Sequence, residues 1–218
     1  MNRPQPKSIA VYYPVFLGGG AEAVCLWILE ALQHRYSLTL FTIVEPDLAK
    51  LNRMYGTSLD SQRIQIQPLL SSGVGSLINN LIANSQPVRM VLFHALIRLL
   101  KAQKDRYDLL ISAYNAVDLG KPGIQYVHWI KVLEGHPLYN KISDFSLERL
   151  QQNLCLTNSA TVADCIRSAY GQESTIVYPP VVLDGLQPDW TQVIAQLRGN
   201  KDCRGLRAAE MASKALMP

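Results

Sequence analysis

Short runs of β-branched and aromatic residues alternate along this chain with longer stretches whose apolar residues recur every three to four positions. The first run is Ser8 to Val15. Ala21 to His34 follows, with Val24, Trp27, Ile28, Ala31 and Leu32 at helical spacing. Ser37 to Val44 is again strand-like, so the chain opens as strand, helix, strand. A helix near Asp47 to Tyr55 then leads to a short third strand around Ile64, Ile66 and Pro68. Two helices are expected next, Val74 to Ala83 and Pro87 to Lys104, the second with a proline suited to a helix start. Four more apolar runs follow at Asp108 to Ala113, Gly123 to Val127, Leu154 to Thr157 and Ser174 to Tyr178. Helical patterns over Ser143 to Gln152 and Ala160 to Tyr170 separate the later ones.

Strands separated by helices imply a parallel sheet covered on both faces, because each return to the same sheet edge needs a crossover. The expected fold class is α/β, a doubly wound Rossmann-like sheet. From about Gln187 the rhythm stops. Residues 1–186 are expected to form the Rossmann-like domain. Residues 187–218 are expected to form an appendage or the truncated remnant of a second domain, irregular or weakly helical, with Ala208 to Leu216 as a candidate weak helix.

Composition narrows the class. The 218 residues are 48% hydrophobic and 17% charged, which suits a folded globular chain with a full core. A formal charge of +4 is compatible with an anionic ligand or lipid surface but falls far short of a nucleic-acid-binding stripe. Cys25, Cys155, Cys165 and Cys203 are scattered without a C-x-x-C pair, which argues for reduced thiols and against a zinc site or disulfide framework. The apolar stretch after Arg3 and Lys7 is broken by Pro14 and the glycines, which excludes a signal-peptide core. Val88 to Leu100 is too short to span a bilayer and carries Arg89, His94 and Arg98. The expected location is the cytoplasm, with room for peripheral contact at the inner face of a membrane.

Candidate chemistry gathers where strands end, the side on which open parallel sheets bind ligands. Gly18, Gly19 and Gly20 follow the first strand and precede a helix, where bare backbone and unpaired amides can approach a phosphate. Gln125-Tyr126-Val127-His128 ends a second run, Thr157-Asn158-Ser159 a third, and Tyr178-Pro179-Pro180-Val181 a fourth. Each has a purely structural alternative. The glycines make a tight turn, Glu22 complements the helix dipole, and His128 packs as a neutral histidine. Asn158 or Ser159 caps the next helix, and the prolines end a strand and stiffen a hinge. His34, His94 and His136 are assigned no function.

The order of these signatures resembles the retaining GT-B glycosyltransferases of the family-4 type. The residues that carry the resemblance are Gly19-Gly20-Ala21-Glu22, Tyr126-Val127-His128, Thr157-Asn158-Ser159 and Val177-Tyr178-Pro179-Pro180-Val181. The second and fourth look most like the branch of ALG-type mannosyltransferases that extend lipid-linked oligosaccharides. Coverage runs from about Ser8 to Leu186.

The resemblance implies the N-terminal, acceptor-side half of a GT-B fold, facing a second Rossmann domain that binds the nucleotide-sugar donor. Gly18, Gly19 and Gly20 would lie beside the donor diphosphate and sugar, and His128 would be catalytic, bonding the donor sugar in the cleft. Glu22, Asn158 and Ser159 would line the cleft or cap helices. No metal and no cofactor beyond the nucleotide-sugar substrate is implied, and the acceptor is a glycan or a lipid-linked sugar. Ala23 stands where many relatives carry arginine. The acidic residues after Val181 are Asp184, Asp189, Asp202 and Glu210, which do not form the family's spaced glutamate pair. A truncated half-enzyme with little transfer of its own is therefore expected, or a non-catalytic subunit that docks on a separate donor-binding chain.

The competing reading is an NAD-binding Rossmann oxidoreductase domain. Gly18 to Ala23 fits G-x-G-x-x-A, and Glu45 ends the second strand where such domains hold the adenosine ribose. Against it, Pro14 to Leu17 separate the strand from the first glycine. The segment Pro87 to Lys104 has an apolar helical face and the cations Arg98, Lys101 and Lys104. It either covers the sheet or forms a membrane-surface patch.

Overall fold

The computed structural model describes residues 6–70, 75–129 and 137–179. Seven strands form one sheet: β1 (Ser8–Tyr12), β2 (Ser37–Thr42), β3 (Ile64–Pro68), β4 (Leu109–Ser112), β5 (Ile124–Val127), β6 (Leu154–Thr157) and β7 (Thr175–Ile176). The spatial order is β3-β2-β1-β4-β5-β6-β7, and every pairing is parallel. The helices are α1 (Gly20–Leu32), α2 (Leu48–Tyr55), α3 (Gly75–Asn84), α4 (Gln86–Ala102), α5 (Pro137–Ser143), α6 (Leu147–Gln151) and α7 (Ala160–Tyr170). This is the expected doubly wound α/β sheet, with its order reversing between β1 and β4.

Alternation within the strands explains the two layers. Ile9, Val11 and Tyr13 pack with Cys25, Leu26 and Leu29 of α1 and Leu48 and Leu51 of α2. Ala10 and Tyr12 point the other way, to Phe93, Leu96 and Leu100 of α4 and Ile82 of α3. Because β1 and β2 are buried on both faces, their sequences read as continuous apolar runs. A third, smaller cluster of Val127, Leu150, Cys155 and Ile166 closes the β5 to β6 side.

The structure differs from the sequence reading at element ends. β1 stops at Tyr12, although Tyr13 and Pro14 still bond the backbone of Phe41 and Ile43 before Val15 to Leu17 lead to the glycines. The helix expected over Ser143 to Gln152 is shorter, Leu147–Gln151, and an unexpected helix over Pro137–Ser143 ends just before Asp144, whose φ of +52° no helix accepts. α4 covers the sheet with Met90, Phe93, Leu96, Ile97 and Leu100 buried, so its apolar face is spent on the core. Among the described residues no helix is long and apolar enough to cross a membrane. The expected boundary near Gln187, the tail beyond it, Pro180, Val181 and His136 lie outside the described residues.

A buried ion cluster ties α4 to the β4–β5 connection at the amino end of the sheet. The Asp118 carboxylate accepts from Lys101 at 2.6 Å and from Arg149 Nε at 3.1 Å, and also from the amides of Gly120 at 2.9 Å and Ser146 at 2.8 Å. Burial alone would push the Asp118 carboxyl up. The bonds from Arg149, Lys101 and Gly120 outweigh it and hold the group below the usual range. Gly120 is glycine for a reason visible here: its φ is +84°, and a Cβ would meet Lys101 Cγ at 3.0 Å and Lys104 Cδ at 3.1 Å.

Candidate functional site

The glycine turn lies at the carboxyl end of β1. Gly18 and Gly19 have φ of +100° and +142°, which an L side chain resists, whereas Gly20 has no such requirement and opens α1. With glycine at the N-cap, no side chain there can satisfy the first amides, and Glu22 in the first turn instead reaches back to the amide before the N-cap. Glu22 is buried, and its Oε1 accepts the Gly18 amide at 2.5 Å. Tyr55, the last residue of α2, donates its hydroxyl to Glu22 Oε2 at 2.8 Å and accepts the Gly19 amide at 3.0 Å. Burial and the neighbouring carboxylate push the Tyr55 phenol up, while its bond to Gly19 pulls the other way. Two of the three glycine amides are thus engaged inside the chain. Those of Gly20 and Ala21 meet no acceptor among the described residues.

Beside the turn is a pocket of about 560 Å³. Its walls are Phe16, Leu17, Val44, Leu51 and Met54, and its polar groups are Glu22, Glu45, Asp47, Lys50 and Asn79. It opens between the loops after β1 and β2, one strand away from the reversal point. Gly18 and Glu22 line it. Gly19, Gly20, His128, Asn158 and Ser159 do not.

His128 follows β5, one strand beyond β4. The ring is buried, and its Nε2 lies 3.2 Å from the Ala113 carbonyl, an acceptor, so Nε2 carries the proton. Nδ1 then presents a lone pair. Burial lowers the imidazole's affinity for a second proton more than the Ala113 bond raises it, which keeps the ring neutral near pH 7. The backbone here is held by Asn115, whose Oδ1 accepts the amides of His128 at 3.2 Å and Trp129 at 2.9 Å. Asn115 is itself pinned through its carbonyl to Ser112 Oγ at 2.6 Å. Trp129 is 70% exposed, an indole presented next to a buried histidine. A neutral imidazole acceptor beside an exposed aromatic can bind a hydroxyl-bearing ring without a metal.

The third and fourth loops are occupied structurally. Ser159 Oγ accepts the Val162 amide at 3.3 Å and so caps α7, while Asn158 Oδ1 accepts from that hydroxyl at 3.1 Å. Tyr126 donates its hydroxyl to the Val177 carbonyl at 2.5 Å, fastening the chain after β7, and Tyr178 is exposed. Thr157 Oγ1, at the end of β6, is buried with no partner among the described residues.

Among the described residues no group of three His, Cys, Asp or Glu side chains is placed to hold a metal. Cys25 and Cys155 are buried thiols and Cys165 is exposed. Sequence reasoning missed Tyr55 and Asn115. An Asn three residues past a strand carries no local sign that it will hold another loop's backbone. The phenol of Tyr55 acts 36 residues from Gly19.

No family model matches the chain, and no curated protein matches it. Three similar solved structures, all at low identity, are these. HepE from Anabaena in complex with UDP and glucose has a TM-score of 0.47 and 13% identity over 88% of this chain and 50% of that chain. UGT2 from Phytolacca americana, complexed with UDP-2-fluoro-glucose and pterostilbene, has a TM-score of 0.44 and 12% identity over 89% and 58%. TcCGT1 in complex with UDP has a TM-score of 0.40 and 12% identity over 88% and 55%. The chain spans about half the length of the solved structures it matches.

Proposed function

We propose that this chain is the acceptor-side Rossmann domain of a GT-B glycosyltransferase, acting with a donor-binding half to move a sugar from a nucleotide-sugar to a glycan or lipid-linked acceptor. The observation that carries the reading is positional. The glycine turn, His128, Asn158-Ser159 and Tyr178-Pro179 follow β1, β5, β6 and β7 of one parallel sheet, so all four stand on its carboxyl rim. In this reading the neutral His128 offers Nδ1 to a hydroxyl of the transferred sugar, and the Gly20 and Ala21 amides face the donor diphosphate. Transfer proceeds with retention and without a metal, as the resemblance implies, and the isolated domain transfers little. The test is to read the coding DNA past Gln192 in all frames for a second Rossmann half with paired glutamates, and to assay the protein that includes it for nucleoside diphosphate release from sugar nucleotides. Release that depends on an added glycan acceptor supports the proposal.

One observation favours the NAD-binding alternative: Gly18 and Glu45 line the same pocket, as the turn and ribose acid of a dinucleotide site would. The engagement of the Gly18 and Gly19 amides by Glu22 and Tyr55 weighs against it, since a pyrophosphate needs those donors. Stabilisation by millimolar NAD would favour the dinucleotide reading over the transferase.

A further inference from the structure

The pocket beside the glycine turn has a charge balance at odds with a phosphate site. Its lining includes three carboxylates, Glu22, Glu45 and Asp47, against one ammonium, Lys50. Two of the carboxylates are already committed. Glu22 holds Gly18 and Tyr55, and Asp47 Oδ1 caps α2 by accepting the Lys50 amide at 2.9 Å. Glu45 is exposed and makes no hydrogen bond or ion pair among the described residues, so its acceptor oxygens are free. The amides that would cradle an anion at Gly18 and Gly19 are engaged, and apart from Asn79 the rest of the wall is apolar, with Leu17 and Met54 presented to solvent. A phosphate placed here would face like charge with no donor nest, whereas a hydroxyl gains a charge-assisted bond to a free carboxylate.

We infer that this pocket receives an uncharged acceptor with an apolar body and free hydroxyls, a glycoside in place of a phosphate ester, with Glu45 as the residue that selects against anions. The inference rests on the glycosyltransferase reading and narrows its acceptor. The donor diphosphate is assigned elsewhere on the rim. Glu45 accepts a hydroxyl of the acceptor, and the apolar wall covers the less polar face of the ring or its aglycone.

The test is titration calorimetry of the full chain with 4-nitrophenyl β-D-glucopyranoside, glucose 1-phosphate, UDP and NAD. The neutral glycoside is expected to bind most tightly. Glu45→Ala is expected to weaken it about tenfold, the worth of one hydrogen bond to a charged group. Glu45→Lys is expected to turn the preference toward glucose 1-phosphate. Because Glu45 is exposed and unbonded, both variants keep the fold, which circular dichroism checks. Equal glycoside affinity in wild type and Glu45→Ala, or no glycoside binding, overturns the inference. So does tighter binding of glucose 1-phosphate or UDP that rises further in Glu45→Ala, an outcome that leaves the transferase reading standing. Tight NAD binding lost in Glu45→Ala removes both.

Discussion

The Tyr55 hydroxyl stands 2.8 Å from Glu22 Oε2 and 3.0 Å from the Gly19 amide, so the last residue of one helix fixes the turn that opens another. Each partner is the other's reason to be ordered. Tyr55→Phe leaves a buried carboxylate and an amide short of one bond each, with an expected loss of about 1–2 kcal/mol. Glu22→Ala strands the Gly18 amide as well and is expected to cost about 2–3 kcal/mol. Because the residues touch, the double variant should fall short of the sum of the two losses by at least about 0.5 kcal/mol, which urea unfolding of the four proteins measures.

The three glycines are expected to separate under substitution. Gly18→Ala and Gly19→Ala force a side chain into positive φ and should each cost about 1–2 kcal/mol. Gly20→Ala meets nothing within 4 Å and sits at the first helical position, so stability should hold or rise by about 0.5 kcal/mol. A donor phosphate that approaches the α1 start would instead collide with the new methyl group. Unchanged melting with lost sugar-nucleotide turnover is the expected signature.

Acid should weaken the fold through His94. The ring is buried against Tyr139 and accepts or donates at Nδ1 with Ser143 Oγ at 2.9 Å, while its Nε2 finds no partner among the described residues. Burial, reinforced by the Lys101 ammonium, lowers its pKa from the ordinary 6.5 to about 4. Asp118, which also borders the small space beside His94, is already paired with Lys101 and Arg149. Below pH 6.5 the unfolded chain takes a proton that the folded one refuses. The contribution is therefore complete above about pH 6.5 and is lost as pH falls toward about 4, by about 3 kcal/mol in all. His128 is shifted in the same direction and adds to the slope. His94→Gln should flatten the profile of unfolding free energy between pH 4 and 6.5 relative to wild type.

Asp118 is expected to be the most costly polar residue to replace. Asp118→Ala leaves Lys101, whose side chain is 9% exposed, without its carboxylate, and such a loss costs about 3–5 kcal/mol. Asp118→Asn keeps a single acceptor oxygen, which can serve the Ser146 amide or the Gly120 amide but not both, and should lose less than Asp118→Ala. The midpoints of chemical unfolding rank the three proteins.

The sheet was legible because its strands are short and apolar and its helices keep a 3.6-residue period, signals that burial on two faces leaves in the sequence. Every expected strand is present within a few residues. The break at Asp144 was not legible. It follows from Lys101 and Arg149 bonding the carbonyl of Asp144, a tertiary cause. Of the candidate residues, the role of Ser159 as a cap was readable from its place before an apolar helix. The burial of Glu22 was not readable, because its partner Tyr55 lies across a strand and a helix. The sequence reading places the glycine turn and His128 on one rim and in one cleft, whereas the pocket beside the turn is lined by Gly18 and not by His128. That separation follows from strand order: the pocket opens on the β2 side of β1, whereas His128 follows β5 with β4 in between, an arrangement with no local pattern.

The measurement that bears most directly on the account is sugar transfer by this domain together with its donor-binding half, wild type against His128→Ala. The account predicts acceptor-dependent release of nucleoside diphosphate that falls at least about 100-fold in the variant, with the fold retained at the assay temperature as judged by circular dichroism. Equal turnover in the two proteins would contradict the role of His128, and stabilisation by NAD with no release from any sugar nucleotide would contradict the glycosyltransferase reading itself.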